Sequence, residues 1–168
     1  MKAIRFFSVL IIGLIVTTAF VRINRSEDLG LSDEQAIKNI IEEETAAYFQ
    51  RDSIKLFSFY ADDAITQTAW NSPNGSYGLY KGIKSIRKNF TQAFIKYPKP
   101  QVQPKVDRSQ WFFRQLSDEW MWVNFIAKFN GDDGKLYTSY ETRVMKKVQG
   151  NWKITAMYAL SDHAVVAN

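Results

Sequence analysis

Carboxylates are the side chains of this sequence best suited to acid–base chemistry, and the candidates are Asp62, Asp63 and Glu44. A buried carboxylate whose pKa rises toward neutrality can move protons as a general acid or base. Neighbouring residues on a strand point to opposite faces, so Asp62 and Asp63 do not both enter one pocket. An acid–base site in this protein would therefore depend on Asp62 or Glu44.

Metal and nucleophile chemistry find little support in the composition. The sequence has no cysteine, which excludes disulfides, thiolate metal sites and a cysteine nucleophile. Its one histidine, His163, stands near the C-terminus, where we expect it to be exposed to solvent, so a zinc site is not expected. Asn74, Gly75 and Gly78 are typical of turns rather than of a phosphate-binding loop. We therefore expect no metal, no cofactor and no recognisable catalytic set.

The N-terminal residues 1–21 have the pattern of an export signal. Lys2 and Arg5 precede an uncharged apolar run over residues 6–21, and polar residues follow it. This run is shorter than the ~20 residues that span a bilayer. Cleavage after Ala19 would release a periplasmic or extracellular protein. An uncleaved segment would instead anchor the protein to the membrane.

The rest of the chain has the composition of one folded domain. We assign residues 22–31 to a polar linker, residues 32–161 to the domain and residues 162–168 to a tail. The chain of 168 residues is 46% hydrophobic and 15% aromatic, which suffices for a packed core. The net charge of +5 falls to +3 without the export segment, and the remaining basic residues are scattered. We therefore expect no nucleic-acid partner, and membrane contact only through an uncleaved N-terminal segment.

Hydrophobic periodicity predicts three helices and five strands. The helices are expected over about 18 residues after Ser32, from about Ile54 to Ala61, and over residues 83–96. The strands are expected over residues 62–70, 102–116, 120–130, 136–148 and 152–160, with a loop over residues 71–78. Four consecutive strands joined by short turns favour antiparallel pairing. Helices segregated from such a sheet predict an α+β domain.

Three short motifs follow one another along the chain: Phe59-Tyr60-Ala61-Asp62-Asp63-Ala64, Tyr80-Lys81-Gly82 with Ile83 and Ile86, and Gly150-Asn151-Trp152-Lys153-Ile154. In this order they resemble the nuclear transport factor 2-like superfamily, in particular its SnoaL-like polyketide cyclase and ketosteroid isomerase branch. The resemblance covers residues 32–160. It implies a cone-shaped fold in which a curved antiparallel sheet packs on three N-terminal helices and leaves a cavity. It says little about function, because this fold hosts isomerases, dehydratases, cyclases, epoxide hydrolases and non-catalytic binders.

The residues expected at the isomerase positions do not match that activity. The resemblance places the isomerase base at Thr68, and a threonine hydroxyl does not act as a base near neutral pH. It places the oxyanion-stabilising tyrosine at Glu44, which is an anion where an anion has to be stabilised. The resemblance also implies that the Asp62 and Asp63 pair marks the exit from a helix and the start of a strand. Steroid isomerisation is therefore not expected.

Strand alternation predicts which residues face a cavity. On the strand over residues 120–130, the apolar set that includes Val123 and Phe125 should face inward. The set that includes Trp120, Trp122 and Asn124 should face outward, where its two tryptophans suit the homodimer contact that the resemblance implies.

The next two strands are less clear. On residues 136–148, the face with Tyr140 and Thr142 suits the cavity, while Glu141 and Arg143 are expected outside as an ion pair. For residues 152–160, hydrophobicity favours Trp152, Ile154 and Tyr158 as the inward set, whereas similarity to the isomerases favours Thr155, Met157 and Ala159. The sequence leaves both alternatives open.

These expectations give a candidate cavity with an aromatic lining and few titratable groups. Its predicted residues are Tyr48, Tyr60, Thr68, Trp70, Val123, Phe125, Tyr140, Thr142 and Met157. Such a lining favours the binding of a small apolar or aromatic molecule by an exported, dimeric protein. The alternatives are an isomerase, dehydratase or hydrolase that uses a cavity carboxylate, and an interaction module that works through the face of Trp120 and Trp122.

Overall fold

The structure is a computed structural model that describes residues 33–71, 76–131 and 134–162. The chain divides into two compact units, residues 1–38 and residues 39–168. The described residues of the first unit are helical. The second unit contains the sheet and the candidate site. No helix within the described ranges is both long and apolar enough to cross a membrane.

The described residues contain three helices. Their bounds are residues 33–50 for α1, Ser53–Ser58 for α2 and Ile83–Lys96 for α3. Arg51 adopts a left-handed backbone conformation with φ of 61° at the end of α1. The Asp52 side chain then caps α2 by accepting a hydrogen bond of 2.9 Å from the Lys55 amide. Helix α3 buries Ile83, Ile86 and Phe94, which recur at helical spacing along one face.

In the part of the chain that the structure describes, six strands form one mixed sheet. They are β1 (Gln67–Asn71), β2 (Tyr77–Lys81), β3 (Asp107–Ser117), β4 (Trp120–Asn130), β5 (Leu136–Val148) and β6 (Asn151–Asp162). Their order across the sheet is β2-β1-β6-β5-β4-β3. Neighbouring strands are antiparallel except β1 and β6, which run parallel. The predicted α+β class with a largely antiparallel sheet is confirmed.

The region of the Asp62 and Asp63 pair differs from the prediction. Oδ1 of Asp63 accepts hydrogen bonds from the amides of Ile65 and Thr66, at 3.2 and 2.8 Å, and from the Thr66 hydroxyl at 2.7 Å. This side-chain-to-backbone turn replaces ladder pairing, so β1 begins only at Gln67. Strand β2 was missed because the turn residues around it suggested a continuous loop over residues 71–78.

The inner face of the sheet is defined by the buried residues Met121, Val123, Phe125 and Ala127 of β4. The prediction for β4 agrees with this face, and Trp120, Trp122 and Asn124 lie on the opposite, outer face. The prediction for β5 was wrong. Phe125 pairs with Glu141 and Val123 pairs with Arg143, so both charged residues share the inner face. Tyr140 and Thr142 lie on the outer face.

Strand β6 reconciles its two predicted orientations through a β-bulge at Thr155. The register against β5 shifts by one residue between Ile154 and Ala156. Before the shift, Trp152 and Ile154 pair with Lys147 and Met145; after it, Met157 and Ala159 pair with Arg143 and Glu141. A bulge inserts one unpaired residue and reverses the alternation that follows. Trp152, Ile154, Met157 and Ala159 therefore share the inner face, whereas Tyr158 pairs with Thr142 on the outer face.

The core lies on the inner face and is closed by residues of α1, α2 and α3. Its fully buried side chains include Ile41, Leu56, Ile86, Val123, Met145 and Ile154. Burying one such side chain contributes roughly 1.5–3 kcal/mol. The core fills one end of the inner face, and the other end carries the charged residues Glu141 and Arg143.

Candidate ligand-binding cavity

A cavity with a volume of about 460 Å³, the main chamber, lies between α1, α3 and strands β1, β5 and β6. Four aromatic side chains contribute to its walls: Tyr48, Trp70, Phe90 and Tyr97. Its polar residues are Glu44, Thr45, Asn89, Glu141 and Arg143, and Ala93, Met157 and Ala159 complete it. The main chamber therefore has largely apolar and aromatic walls with a cluster of charged groups.

A smaller cavity of about 170 Å³, the side chamber, adjoins the main chamber. The two chambers share Thr45, Glu141 and Arg143. Arg108 of β3 contributes to the side chamber, donating hydrogen bonds of 2.7 Å to Oε2 of Glu42 and 2.8 Å to the Thr45 hydroxyl. The Glu141 and Arg143 pair therefore stands at the boundary between the chambers.

Glu44, which lines the main chamber, is hydrogen-bonded to Tyr60, which does not line it. The chain at Tyr60 is held against β6, because the Ala61 amide donates to the Ile154 carbonyl and the Ile154 amide donates to the Phe59 carbonyl. The Tyr60 hydroxyl then lies 2.7 Å from Oε1 of Glu44 and 3.6 Å from the Met157 sulfur. Glu44 is only 6% exposed.

Burial dominates the ionisation of this pair. It raises the pKa of Glu44 above the ordinary value, while Arg143 and the Tyr60 hydrogen bond act in the opposite direction. Burial, reinforced by the nearby Glu44, also raises the pKa of Tyr60 well above its ordinary value. Tyr60 therefore remains a neutral donor, and Glu44 is a carboxyl group able to exchange a proton closer to neutrality than an exposed glutamate.

Glu141 and Arg143 form a buried ion pair on the inner face. Nη1 of Arg143 lies 2.8 Å from Oε2 of Glu141, and the Ser139 hydroxyl donates to the other carboxylate oxygen at 2.8 Å. The guanidinium carbon lies 5.5 Å from the centre of the Phe125 ring. Burial lowers the pKa of Arg143, but Glu141 and Glu44 outweigh it and leave that pKa above its ordinary value. Arg143 is therefore a permanent cation whose charge is engaged by Glu141.

The position of the Trp70 ring depends on the absence of a side chain at Gly78. These residues pair across β1 and β2. A Cβ atom at Gly78 would lie 2.6 Å from Cε2 and Nε1 of Trp70. Such a distance is far below van der Waals contact, so any larger residue there would displace the ring. Gly78 therefore helps to shape one wall of the main chamber.

The predicted cavity residues fall into three groups. Tyr48, Trp70 and Met157 line the main chamber, and Phe125 lines the side chamber. Tyr60, Thr68 and Val123 are buried, and neither chamber is lined by them. Tyr140 and Thr142 are on the outer face, because β5 has the opposite orientation to the one predicted.

Several lining residues were missed, and some predicted candidates lie elsewhere. Glu141 and Arg143 are the main correction, since they were expected outside the cavity. The Asp62 side chain is 75% exposed and lies 3.7 Å from Arg87, so it is removed from the chambers. His163 falls outside the described residues. Within those residues, no three potential metal ligands cluster.

The outer face carries an apolar surface across β3 to β6. Exposed members of this surface are Phe112, Trp122, Tyr140 and Leu160. Register pairs Phe112 with Asn124, next to Trp122, and Tyr140 with Leu160. Asn124 accepts hydrogen bonds of 2.9 Å from both the Trp122 indole and the Thr142 hydroxyl. The predicted dimer-face residues therefore lie in one outward-facing surface.

Comparisons with known proteins give structural likeness at low sequence identity. The chain is similar to an NTF2-like protein of unknown function from Shewanella oneidensis MR-1, with 14% identity and a TM-score of 0.58 over 76% of this chain and 98% of the other. An NTF2-like protein of unknown function from Pseudomonas putida KT2440 gives 14% identity and a TM-score of 0.60 over 77% and 87%. A proposed scytalone dehydratase from Novosphingobium aromaticivorans gives 13% and 0.55 over 80% and 87%. No protein-family model and no curated protein matches the sequence.

Proposed function

The chain has the nuclear transport factor 2-like fold, and we propose that it binds a small organic molecule in the main chamber. The proposed ligand is a molecule with an apolar or aromatic body and one polar group. Its apolar part lies against the aromatic walls, and its polar group lies at the end formed by Glu44, Glu141 and Arg143.

The observation that carries this proposal is the combination of volume and lining. A volume of about 460 Å³ lies within the range of roughly 300–1,000 Å³ that small-molecule sites occupy. Apolar walls with a few convergent polar groups are the usual composition of such sites. The Tyr60 hydroxyl donates to Glu44, and Arg143 donates to Glu141, so these groups at the polar end are held by partners within the protein.

Ligand recovery tests the proposal. Protein purified without denaturant should release a small organic molecule on solvent extraction, and native mass spectrometry should show the corresponding mass difference. The variant Ala93→Phe, which adds a ring to the chamber wall, should carry less of it. A crystal structure in which side chains fill the main chamber would contradict the proposal.

A second candidate function is acid–base catalysis by Glu44. It is favoured by a buried carboxyl group that faces the main chamber with a raised pKa. Asp62, the other predicted carboxylate, is too exposed for this role. If Glu44 acts as a general base, a bound carbonyl compound should exchange the proton on the carbon next to its carbonyl group for deuterium in deuterated water. The variant Glu44→Gln should stop this exchange. Binding without exchange would leave the protein as a binder.

A dimer through the outer face is part of the same proposal. Phe112, Trp122, Tyr140 and Leu160 expose apolar area on one side of the sheet, and such area is commonly covered in an interface. The outer face is remote from the chambers, because it is the opposite side of the sheet. Dimerisation would thus leave the ligand site on the inner face of each copy.

Export of the protein is also proposed from the pattern over residues 1–21. Cell fractionation should find the protein outside the cytoplasm, and N-terminal sequencing of the mature protein should identify cleavage after Ala19. Recovery of the full-length chain in the membrane fraction would instead indicate an anchor. Recovery from the cytoplasm would contradict export.

A further inference from the structure

We propose that the ligand of the main chamber is an organic cation, a small molecule with an ammonium group attached to an apolar or aromatic body. This rests on the proposed function, because it assigns a charge to the ligand's polar group. The ammonium group lies between the Glu44 carboxylate and the aromatic walls of the main chamber.

The charges that line the main chamber do not balance. Glu44 and Glu141 are two carboxylates, and Arg143 is one guanidinium group. Arg143 lies 2.8 Å from Glu141, so these two charges largely compensate each other. Among the described residues, no basic group lies within ion-pair distance of Glu44. An ionised Glu44 therefore leaves the chamber with one uncompensated negative charge.

Apart from Arg143, whose field at Glu44 opposes the effect of burial, the described residues around Glu44 supply no cation that compensates it. Tyr60 donates a hydrogen bond but is neutral. Arg108 contributes a weak field at Glu44, yet its guanidinium is engaged by Glu42 at 2.7 Å. The second neighbouring carboxylate, Glu141, adds to the negative potential. A ligand cation would supply the missing charge and recover part of the cost of burying the carboxylate.

The aromatic walls favour the same chemistry. Tyr48, Trp70, Phe90 and Tyr97 surround the chamber, and aromatic ring faces attract cations through their quadrupole. This attraction is worth about 0.5–1 kcal/mol at exposed sites and about 2 kcal/mol when the cation is desolvated. Aromatic rings and a carboxylate together form a common recognition site for ammonium groups.

An anionic ligand fits this chamber poorly. It would meet two carboxylates, and the single guanidinium is already bound by one of them. Among the described residues, the Nε atom of Arg143 has no hydrogen-bond partner, and it is buried from solvent. A neutral ligand that accepts a hydrogen bond from protonated Glu44 is a stronger competitor, because the raised pKa lets Glu44 keep its proton to a higher pH than an exposed glutamate. The two cases differ in their dependence on pH.

Aromatic probes of different charge separate these cases. The probes are benzyltrimethylammonium, whose charge is permanent, benzyl alcohol, acetophenone and benzoate, with affinities measured by protein-observed NMR titration. We expect benzyltrimethylammonium to bind at least about tenfold more tightly than any other probe at pH ~8. Its affinity should rise at least about threefold from pH ~5 to pH ~8, because ionised Glu44 attracts it. For acetophenone bound to protonated Glu44, affinity would fall over the same range.

A matched pair of variants assigns the effect to Glu44. In Glu44→Gln, the selectivity for benzyltrimethylammonium over benzyl alcohol should fall toward one, and its pH dependence should disappear. Glu43→Gln, one residue earlier on α1 and exposed, should keep the selectivity. If Glu44→Gln does not fold, the pH dependence of probe binding to the natural protein still distinguishes a cationic ligand from a neutral one.

The outcomes for the two proposals can be told apart. If benzyl alcohol, acetophenone or benzoate binds as tightly as the cation, the inference of a cationic ligand is overturned and the binding function stands. If none of the four probes shifts the resonances of main-chamber residues, both fall.

Discussion

The Tyr60 hydroxyl donates a 2.7 Å hydrogen bond to Oε1 of Glu44, and both residues are buried. The bond stabilises the ionised form of Glu44, whereas burial favours the protonated form and is the stronger effect. The position of this carboxyl group is thus fixed by a neighbour that remains neutral. Its charge, in contrast, is left to respond to pH and to whatever enters the main chamber.

The raised pKa of Glu44 predicts how stability depends on pH. The folded protein holds this proton to a higher pH than the unfolded chain, whose value is near 4.5. The contribution of Glu44 to the free energy of unfolding therefore decreases as pH rises from about 4.5 to the folded pKa, and it is constant above that. Denaturant unfolding of Glu44→Gln across this range should show a variant that gains stability relative to the natural protein as pH rises.

Glu43→Gln is the control for this prediction, because it removes a carboxylate from an exposed position of the same helix. It should not reproduce the gain. A natural protein that becomes more stable than Glu44→Gln as pH rises would show that Glu44 prefers its ionised form on folding.

The buried pair of Glu141 and Arg143 should be strongly coupled. Arg143→Met leaves Glu141 buried without its cation, which costs about 3–5 kcal/mol in pairs of this kind. Adding Glu141→Gln should recover much of this loss, so the double variant is more stable than the sum of the single changes predicts. Urea denaturation of the three variants measures the coupling free energy.

The exposed pair of Glu43 and Lys55 offers a comparison at 3.1 Å. A double-mutant cycle at this pair, with Glu43→Gln and Lys55→Met, should give a coupling free energy of only about 0–1 kcal/mol. Equal coupling in the two cycles would mean that Glu141 and Arg143 are as accessible to water as a surface pair.

Gly78→Ala tests whether Gly78 sets the position of the Trp70 ring. The added methyl group has no room at 2.6 Å from the indole, so the variant should lose about 1–3 kcal/mol of stability through overpacking. In a Trp70→Leu background the same change should cost much less, because the obstructing ring is gone. Thermal and urea unfolding of the four proteins measure this difference. An equal cost in both backgrounds would place the strain elsewhere.

The outer face predicts a dimer that one charge can disrupt. Trp122→Arg places a cation in the exposed apolar surface, and sedimentation velocity should show a shift from dimer to monomer. Thr91→Arg adds the same charge at an exposed position of α3 and should leave the dimer intact. A natural protein that remains monomeric at high concentration would contradict the predicted interface.

The sequence was sufficient for the elements with a strong period. The helix predicted over residues 83–96 and the strands predicted over residues 120–130 and 136–148 occur with those bounds. The helix and strand 120–130 have an uninterrupted hydrophobic period, and turn residues mark the ends of all three elements. The parallel pairing of β1 with β6 was not predicted, because it joins segments far apart in the chain.

The orientation of β5 was predicted wrongly because the more apolar face of the strand was expected to point inward. Tyr140 and Val144 made the outer face look more apolar, while Glu141 and Arg143 enter the protein together as a compensated pair. The register of the hairpin formed by β4 and β5 indicates the orientation of β5 better than hydrophobicity does. Asn130 pairs with Leu136 at the end of this hairpin, and the same register places Glu141 opposite Phe125.

The bulge at Thr155 explains why β6 could not be oriented from sequence. Period-two alternation assumes unbroken pairing, and one inserted residue reverses it. Each proposed orientation was correct on one side of Thr155. Such a bulge depends on pairing with β5 and has no distinct local residue pattern.

The most direct test of the central claim, that the main chamber is a ligand-binding site, compares two phenylalanine substitutions on α3. Ala93 lines the chamber, and Thr91 is exposed on the same helix. The probe is the one of the four aromatic probes that binds the natural protein most tightly. Its dissociation constant for each variant is measured by protein-observed NMR. Ala93→Phe should weaken binding by at least about tenfold, since the added ring occupies the ligand's place, while Thr91→Phe binds as the natural protein does. Unchanged affinity in a folded Ala93→Phe protein would contradict the claim.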